Sequence, residues 1–221
     1  MNEKLLGYAG RVLKIDLTRK TFEDFPWTDS DRRRTLGGKI MAADILHSHI
    51  TPDMKAFDED NWLVISTGPL TGCGCPNTSR FNISTISPLT NIVTSSNCGG
   101  DFGLSLKKAG FDALIITGRS ENPVHIEILE DDVSFNDASQ LWGMKVSEAQ
   151  EKLQKRHGKL VIGPAGENKV LYAAVFSGER AAGRGGVGAV FGDKNIKAVT
   201  AFGSKNAEVY DRENLKKINK K

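Results

Sequence analysis

The sequence predicts an α+β fold made from two copies of one unit, and three observations carry that expectation. Apolar runs, glycine turns and short helical segments alternate irregularly, without the strict strand-helix order of a doubly wound sheet. The longest runs, such as Trp62-Leu63-Val64-Ile65 and Ala113-Leu114-Ile115-Ile116, are strand-sized and far short of the roughly 20 residues of a membrane span. The chain also resembles itself at an offset of about 85 residues, which lays Cys98-Gly99-Gly100-Asp101-Phe102-Gly103 over Gly183-Arg184-Gly185-Gly186-Val187-Gly188 and Asp112 to Gly118 over Lys197 to Gly203. Gly100, Gly103, Ala113 and Gly118 meet identical partners in that overlay.

Along the chain, Leu13, Ile15 and Leu17 alternate with Lys14 and Asp16, the pattern of a half-buried strand, and Thr18-Arg19-Lys20 turns it into a partner through Phe22 and Phe25. Ile40 to Leu46 reads as a helix after Gly37-Gly38, and Asn61 to Thr67 as a buried strand ended by Gly68-Pro69. A polar loop with Cys73 and Cys75 leads to the alternating strand Phe81 to Ser87. Asn97 to Gly103 reads as a glycine-rich turn that opens a helix from Leu104 to Ala109, stopped by Gly110, with strand Ala113 to Thr117 beyond. His125 to Leu129 and Val133 to Phe135 suit a hairpin. Val146, Ala149, Gln150 and Leu153 have helical spacing behind Ser147 as cap. Leu160 to Ile162 and Leu171 to Phe176 are the strands that precede the second glycine stretch.

A chain of 221 residues, 39% hydrophobic and 26% charged, can bury a sizeable core. Its net charge of +3 is too mild and too scattered for nucleic-acid binding. The runs Arg32-Arg33-Arg34 and Lys216 to Lys221 are expected on solvated surface. The three cysteines suit a reducing compartment, and the N-terminus has no apolar signal core, so a cytoplasmic protein without membrane contact is expected. Cys73-Gly74-Cys75 has the wrong spacing for a zinc or iron–sulfur quartet, and only Cys98 is retained as a ligand-facing thiol. His47, His49, His125 and His157 read as surface or structural residues. A Rossmann site needs G-x-G-x-x-G between a strand and a long helix, and neither glycine turn reads as that form; a Walker P-loop sequence is absent.

The most informative stretch is Arg180-Ala181-Ala182-Gly183-Arg184-Gly185-Gly186-Val187-Gly188-Ala189-Val190. Glycine lets main-chain N–H groups approach a ligand, and arginine grips phosphate or carbonyl oxygen with a planar fork of donors. It contains no Ser, Cys, His or carboxylate, so it reads as a holder of chemistry. Taken alone, it is either a bed for a phosphorylated polyanion or a tight turn with two solvated arginines. The repeat places it opposite Asn97 to Gly103 across a pseudo-two-fold axis, where paired phosphates would be bridged by a hard cation such as Mg²⁺ and Arg80 would add a third guanidinium.

Gly68-Pro69-Leu70-Thr71-Gly72, Arg80-Phe81-Asn82, Ser87-Pro88-Leu89-Thr90, Asn97-Cys98-Gly99-Gly100, Ala109-Gly110-Phe111-Asp112-Ala113, Gly163-Pro164-Ala165-Gly166-Glu167-Asn168 and Arg180 to Gly186 occur in that order. Together they resemble the N-terminal domain of the tungsten-containing aldehyde:ferredoxin oxidoreductases, from about Gly10 to Lys205. The resemblance implies a duplicated α+β domain that forms the base for a bis-pyranopterin tungsten cofactor, tungstopterin. It makes Arg80, Asn97, Cys98, Gly99, Gly100, Arg180, Ala181, Gly183 and Arg184 cofactor-binding residues, with the carbonyls of Asn97 and Ala181 reaching a Mg²⁺ between the pterin phosphates. Many relatives have Ser where this chain has Cys98. No protein ligand to tungsten and no catalytic residue is implied in this chain.

On the same basis residues 1–210 form that domain and 211–221 begin a linker, and the domains that carry the [4Fe–4S] cluster, the substrate channel and the acid/base residues are not in this sequence. An excised domain or a truncated product is therefore expected, inactive alone. The full enzyme would oxidise an aldehyde to a carboxylic acid with ferredoxin as electron acceptor, and a homodimer is open to it. Two alternatives stand beside this: a family member of different chemistry, such as reduction of an aromatic thioester, and a stand-alone cofactor-binding or assembly module. The substrate and the choice of tungsten or molybdenum are not legible.

Overall fold

The computed structural model describes residues 5–220, so Met1 to Lys4 of the N-terminus and Lys221 of the basic tail lie outside it. The first half comprises β1 (Val12–Asp16), β2 (Thr21–Asp24), α1 (Asp29–Thr35), α2 (Gly38–His47), β3 (Leu63–Thr67), β4 (Phe81–Ile86), β5 (Val93–Cys98), α3 (Phe102–Lys108) and β6 (Ala113–Thr117). Its sheet has the order β2-β1-β6-β3-β4-β5. The second half comprises β7 (Val124–Ile128), β8 (Val133–Asp137), a 3-10 turn (Ser139–Leu141), α4 (Val146–Lys152), β9 (Gly158–Val161), α5 (Pro164–Glu167), β10 (Val175–Ser177), β11 (Arg180–Ala182), α6 (Val187–Asp193) and β12 (Ile196–Ala201). Its sheet has the order β8-β7-β12-β9-β10-β11.

The two orders match strand for strand. Each sheet has one parallel pair, β1 with β6 and β7 with β12, while the remaining pairs are antiparallel. The duplication expected from the sequence is thus the plan of the molecule. Helix α7 (Arg212–Ile218) follows, inside the segment read as a linker.

One core joins the halves. Leu13, Ile15, Leu63, Ile65, Phe81, Ile83, Leu114 and Ile116 from the first sheet pack with Ile126, Ile128, Leu160, Val175 and Val199 from the second, and α3 and α6 contribute Phe102, Leu106, Val190 and Phe191. The opposite face of the first sheet, including Val64, Ala113 and Ile115, is covered by Met41, Ala42, Ile45 and Leu46 of α2. The opposite face of the second, Val161 and Ala198, is covered by Ala149 and Leu153 on and after α4. β6 and β12 are therefore buried on both faces, which is why β6 reads as a continuous apolar run, while β12 carries Lys197 into the interior.

The helix leading into each of these strands ends in the same way. Gly110, at φ +100°, closes α3, with its N–H bonded to Lys107 O and the Phe111 N–H to Leu106 O. At the corresponding place after α6, Asn195 takes φ +58° and donates from its side chain to Ser120 O at 2.7 Å.

Several segments depart from the sequence reading, each for a local reason. Arg32 is only 7% exposed. Its guanidinium donates to Asp29 Oδ1 and to Gly10 O, both at 2.6 Å, so this run belongs to a capped helix that packs on the N-terminal segment. Ser147 lies within α4; the residue before the helix is Lys145, whose N–H is accepted by Glu148 Oε2. The strand read at Leu171 to Phe176 is confined to Val175–Ser177, because Leu171 and Tyr172 are exposed. β5 and β11, polar and edge-placed, have no strand reading in the sequence: only Asn97 and Cys98 of β5 fall in the first glycine turn, and Arg180 to Ala182 fall in the second glycine stretch.

Two buried ion pairs hold the loops against the sheets. Asp112 accepts from Lys107 Nζ and from the N–H groups of Ala9 at 2.9 Å and Gly10 at 2.8 Å. Lys197 donates to Glu167 and to Met144 O, and the other oxygen of Glu167 accepts from Gly143 N at 2.8 Å. Breaking one partner of such a pair leaves a charge without compensation in the interior. Lys197→Met is expected to lower the unfolding free energy by about 3–5 kcal/mol in urea titration, and adding Glu167→Gln to recover a large part of it.

Candidate functional site

β5 alternates because it is an edge strand with one face on the core. Ser96 and Cys98 point inward, whereas Asn97 is exposed. Asn97 stands opposite Asn82 in the β4–β5 ladder, and Arg80 lies immediately before β4. The Arg80 guanidinium donates to Asn97 Oδ1, and Asn97 Nδ2 donates to Asn82 Oδ1 at 3.3 Å. Ser95 Oγ reaches the same oxygen at 3.4 Å and accepts from Ser84 Oγ at 3.0 Å. A polar ladder thus fixes Arg80 at the end of the strand.

In the second unit β11 pairs with β10, with Ser177 opposite Arg180 and Phe176 opposite Ala181. Ala182 is buried in the shared core, and Arg180, Ala181, Gly183 and Arg184 are exposed. Edge strands β5 and β11 meet where the units join. The N–H of Arg184 donates to Ser96 Oγ at 3.0 Å, across the seam.

The two glycine turns interlock there. A Cβ on Gly100, which has φ +95°, would fall 2.7 Å from Ser177 O, and Ser177 Oγ accepts from Phe102 N at 3.4 Å. Its counterpart Gly185 faces Thr94, whose Oγ1 would lie 2.2 Å from an added Cβ. These glycines are required by protein packing. Gly183 is different: it has no left-handed φ, and an added Cβ would meet nothing within 4 Å. Gly99 has room as well, with only Arg180 Cγ at 3.7 Å from its notional Cβ. The protein itself gives Gly183 no reason to lack a side chain.

Among the described residues Arg180 and Arg184 have no ion-pair partner, although Arg11, Arg19, Arg32, Arg34 and Arg119 each have one. Guanidinium groups from both units that are not tied up in ion pairs offer donors to an anion, a surface suited to a polyanion. No group of three or more His, Cys, Asp or Glu residues that would hold a metal ion occurs among the described residues. Asn97 and Ala181, on edge strands, are placed where main-chain carbonyls are not all consumed by a sheet.

The structure therefore brings Arg80, Asn97, Gly99 and Gly100 together with Arg180, Ala181, Gly183 and Arg184. Cys98 is the exception. Its side chain is 2% exposed within the shared core, and its Sγ donates to Gly99 O at 3.2 Å, so only its main chain faces the seam. Burial pushes the thiol up to about 11 against the opposing pull of Arg80 and Arg180. The sequence reading missed Thr94, Ser96 and Ser177, which lock the seam. The alternation Thr94-Ser95-Ser96-Asn97 was the signal for an edge strand, though without apolar residues to mark it.

Gly183, Gly185 and Gly188 do satisfy G-x-G-x-x-G after a strand, contrary to the sequence reading. A Rossmann site is nevertheless excluded by geometry: α6 has 7 residues, and β11 runs antiparallel to β12 through the chain of pairings with β10 and β9. The histidines stay structural. His49 stacks on Trp62, His157 stacks on Phe202 near Glu127, and His125 bonds Thr200 Oγ1 at 2.8 Å. No helix among the described residues is long and apolar enough to cross a membrane.

Residues 12–203 match the family model described as aldehyde ferredoxin oxidoreductase, N-terminal domain. The chain is 42% identical over 214 residues to the tungsten-containing aldehyde ferredoxin oxidoreductase of Pyrococcus abyssi, covering 94% of this chain and 35% of the relative. It is 39% identical over 227 residues to the Pyrococcus furiosus protein of the same description, covering 98% and 38%. Among solved structures it is similar to the active-site complex BamBC of benzoyl coenzyme A reductase in complex with 1,5-dienoyl-CoA, with a TM-score of 0.89 at 36% identity, covering 91% of this chain and 32% of that one. The chain spans about a third of the length of these proteins.

The burial of Cys98 is open to chemical test. At pH 8 iodoacetamide is expected to label the half-exposed Cys75 in the folded chain, whereas Cys98 is labelled only after denaturation, as read by peptide mass spectrometry.

Proposed function

The chain belongs to the aldehyde ferredoxin oxidoreductase family through its N-terminal domain, and from that premise we propose that it is the tungstopterin-binding base of a tungsten-dependent oxidoreductase. The observation that carries the reading is the seam, where cationic side chains from both units converge beside Gly183 and Gly99, whose missing side chains leave room for a ligand. A two-fold, doubly phosphorylated ligand fits that donor set.

Arg80, held by Asn97, would bind one side of such a ligand, and Arg180 and Arg184 the other, each offsetting phosphate charge and orienting ring substituents. The main chain at Asn97, Cys98, Gly99, Gly100, Ala181 and Gly183 would supply the close contacts, and the carbonyls of Asn97 and Ala181 would be this chain's ligands to a Mg²⁺ that offsets phosphate charge. When bound, the tungsten centre supplies the two-electron oxidation of an aldehyde to a carboxylic acid. In this reading the named residues of the seam would bind and orient the group and would supply no acid, base or nucleophile. Electrons would leave through a [4Fe–4S] cluster to ferredoxin outside this part of the protein.

A second reading, reduction of an aromatic thioester, draws on the likeness to the benzoyl coenzyme A reductase complex. Both readings use the same base, and they differ in the whole protein's substrate and in the direction in which electrons flow.

The test is made on protein isolated from its native host. Tungsten measured by plasma mass spectrometry and pterin measured by fluorescence after oxidation are expected in a 1:2 ratio. Arg180→Ala combined with Arg184→Ala is expected to lower occupancy at least about tenfold, as charge-assisted bonds to phosphate are lost. Full occupancy in that variant would sink the assignment. The 221-residue chain alone is expected to give no aldehyde-dependent reduction of benzyl viologen, and the aldehyde and aromatic-thioester readings are separated by assaying the native protein with each substrate.

A further inference from the structure

The two hairpins that carry the site are closed differently. The turn between β4 and β5 is closed by its own groups: Ser87 N donates to Ile92 O at 2.9 Å, Asn91 N to Ser87 O at 2.8 Å, and Leu89 N to Ser87 Oγ at 3.1 Å. The two-residue turn between β10 and β11, Gly178-Glu179, is flanked by the ladder pair Ser177 and Arg180 and is in addition held from outside. Gln150 on α4 donates through Nε2 to Gly178 O at 3.2 Å, and Gly178 N donates to Gln150 Oε1 at 2.9 Å. One side chain thereby makes the reciprocal pair of bonds that a residue of a neighbouring antiparallel strand would make.

The place of this bond gives it leverage. β11 is three residues long and pairs with β10 alone, and Arg180 is the residue that follows the turn. A cavity of about 920 Å³ lies beside this contact, lined by Val146, Gln150, Lys155, Lys159, Phe176 and Glu179 among others. Gln150 thus bridges the hairpin to α4 beside that cavity. α4 itself is fixed, since Ala149 is buried on the second sheet with Val161 and Ala198. At the far end β11 is tied to the first unit by the bond from Arg184 N to Ser96 Oγ.

We propose that Gln150 is a positioning residue that anchors the Gly178-Glu179 turn to α4 and so aims Arg180 at the seam. The proposal rests on the reading of the seam as a phosphate-binding cradle. Gln150 touches no ligand; it acts through the main chain of Gly178.

The experiment uses the full 221-residue chain, with Gln150→Ala, which removes both bonds, and Gln150→Glu, which keeps the acceptor for Gly178 N–H and loses the donor. Amide exchange followed by NMR is expected to show protection of Gly178 and Arg180 reduced at least about tenfold in Gln150→Ala and partly restored in Gln150→Glu, while the melting temperature moves by less than about 2 °C. Magnesium pyrophosphate, titrated by calorimetry, is expected to bind Gln150→Ala about five- to tenfold more weakly than the parent. Unchanged protection at Gly178 overturns the proposal, as does lost protection with unchanged pyrophosphate affinity. If the parent chain binds no pyrophosphate while Gln150→Ala still loses protection, the cradle reading is what fails.

Discussion

Everything the candidate site can do depends on how closely two edge strands, β5 and β11, approach across the seam between the units. An unpaired sheet edge is ordinarily a hazard, and here each unit's edge is covered by the other. The approach is set by Gly100 against Ser177 and Gly185 against Thr94, contacts with no room for a Cβ. A side chain at either glycine would push the turns apart, and Arg180 and Arg184 would move away from Asn97 with them. The placing of the cationic groups is therefore a consequence of packing, and the same packing buries Cys98 and Ala182 in a core common to both halves.

Duplication preserves backbone spacing more strictly than side-chain chemistry. Asp112 and Lys197 occupy corresponding positions in the overlay of the two units, yet they carry opposite charge. The reason is local. Asp112 faces the N–H donors of Ala9 and Gly10, which call for an acceptor, and Lys197 faces the carbonyl of Met144, which calls for a donor. Each then recruits a buried counter-ion, Lys107 or Glu167. Similarly, Gly110 and Asn195 solve the same left-handed helix stop with different residues. Topology is shared throughout, while few identities survive, because only positions where backbones touch forbid substitution.

This explains which parts of the molecule were legible in the sequence. β3, β4, β6 and β7 carry strong apolar signals, since their burial is enforced from one or both faces, and α2 and α3 follow glycine punctuation. β5 and β11 carry almost none. Their residues are small or polar because one face meets the core in a narrow space and the other is left open, so hydrophobic periodicity is silent there. The repeat made the juxtaposition of the two glycine turns legible, whereas the serines and threonine that lock them became visible only in three dimensions. Cys98 was misjudged for a related reason: a residue in a presumed turn points anywhere, but in a strand its direction is dictated by its neighbours, and exposed Asn97 forces Cys98 inward.

The absence of a carboxylate partner for Arg180 and Arg184 is itself a physical argument about what the seam holds. Arg11, Arg19 and Arg34 are paired even on the surface, where such pairs contribute little. Gathering guanidiniums on one face costs mutual repulsion, which hydration keeps small. An acid placed between them would relieve that cost, yet it would also compete with any anion. Arginine suits the position better than lysine, because its planar fork keeps its direction and cannot be neutralised by burial. A polyanion bound across β5 and β11 would relieve the repulsion and tie the units together at once, so ligand binding and the packing of the two halves would reinforce each other.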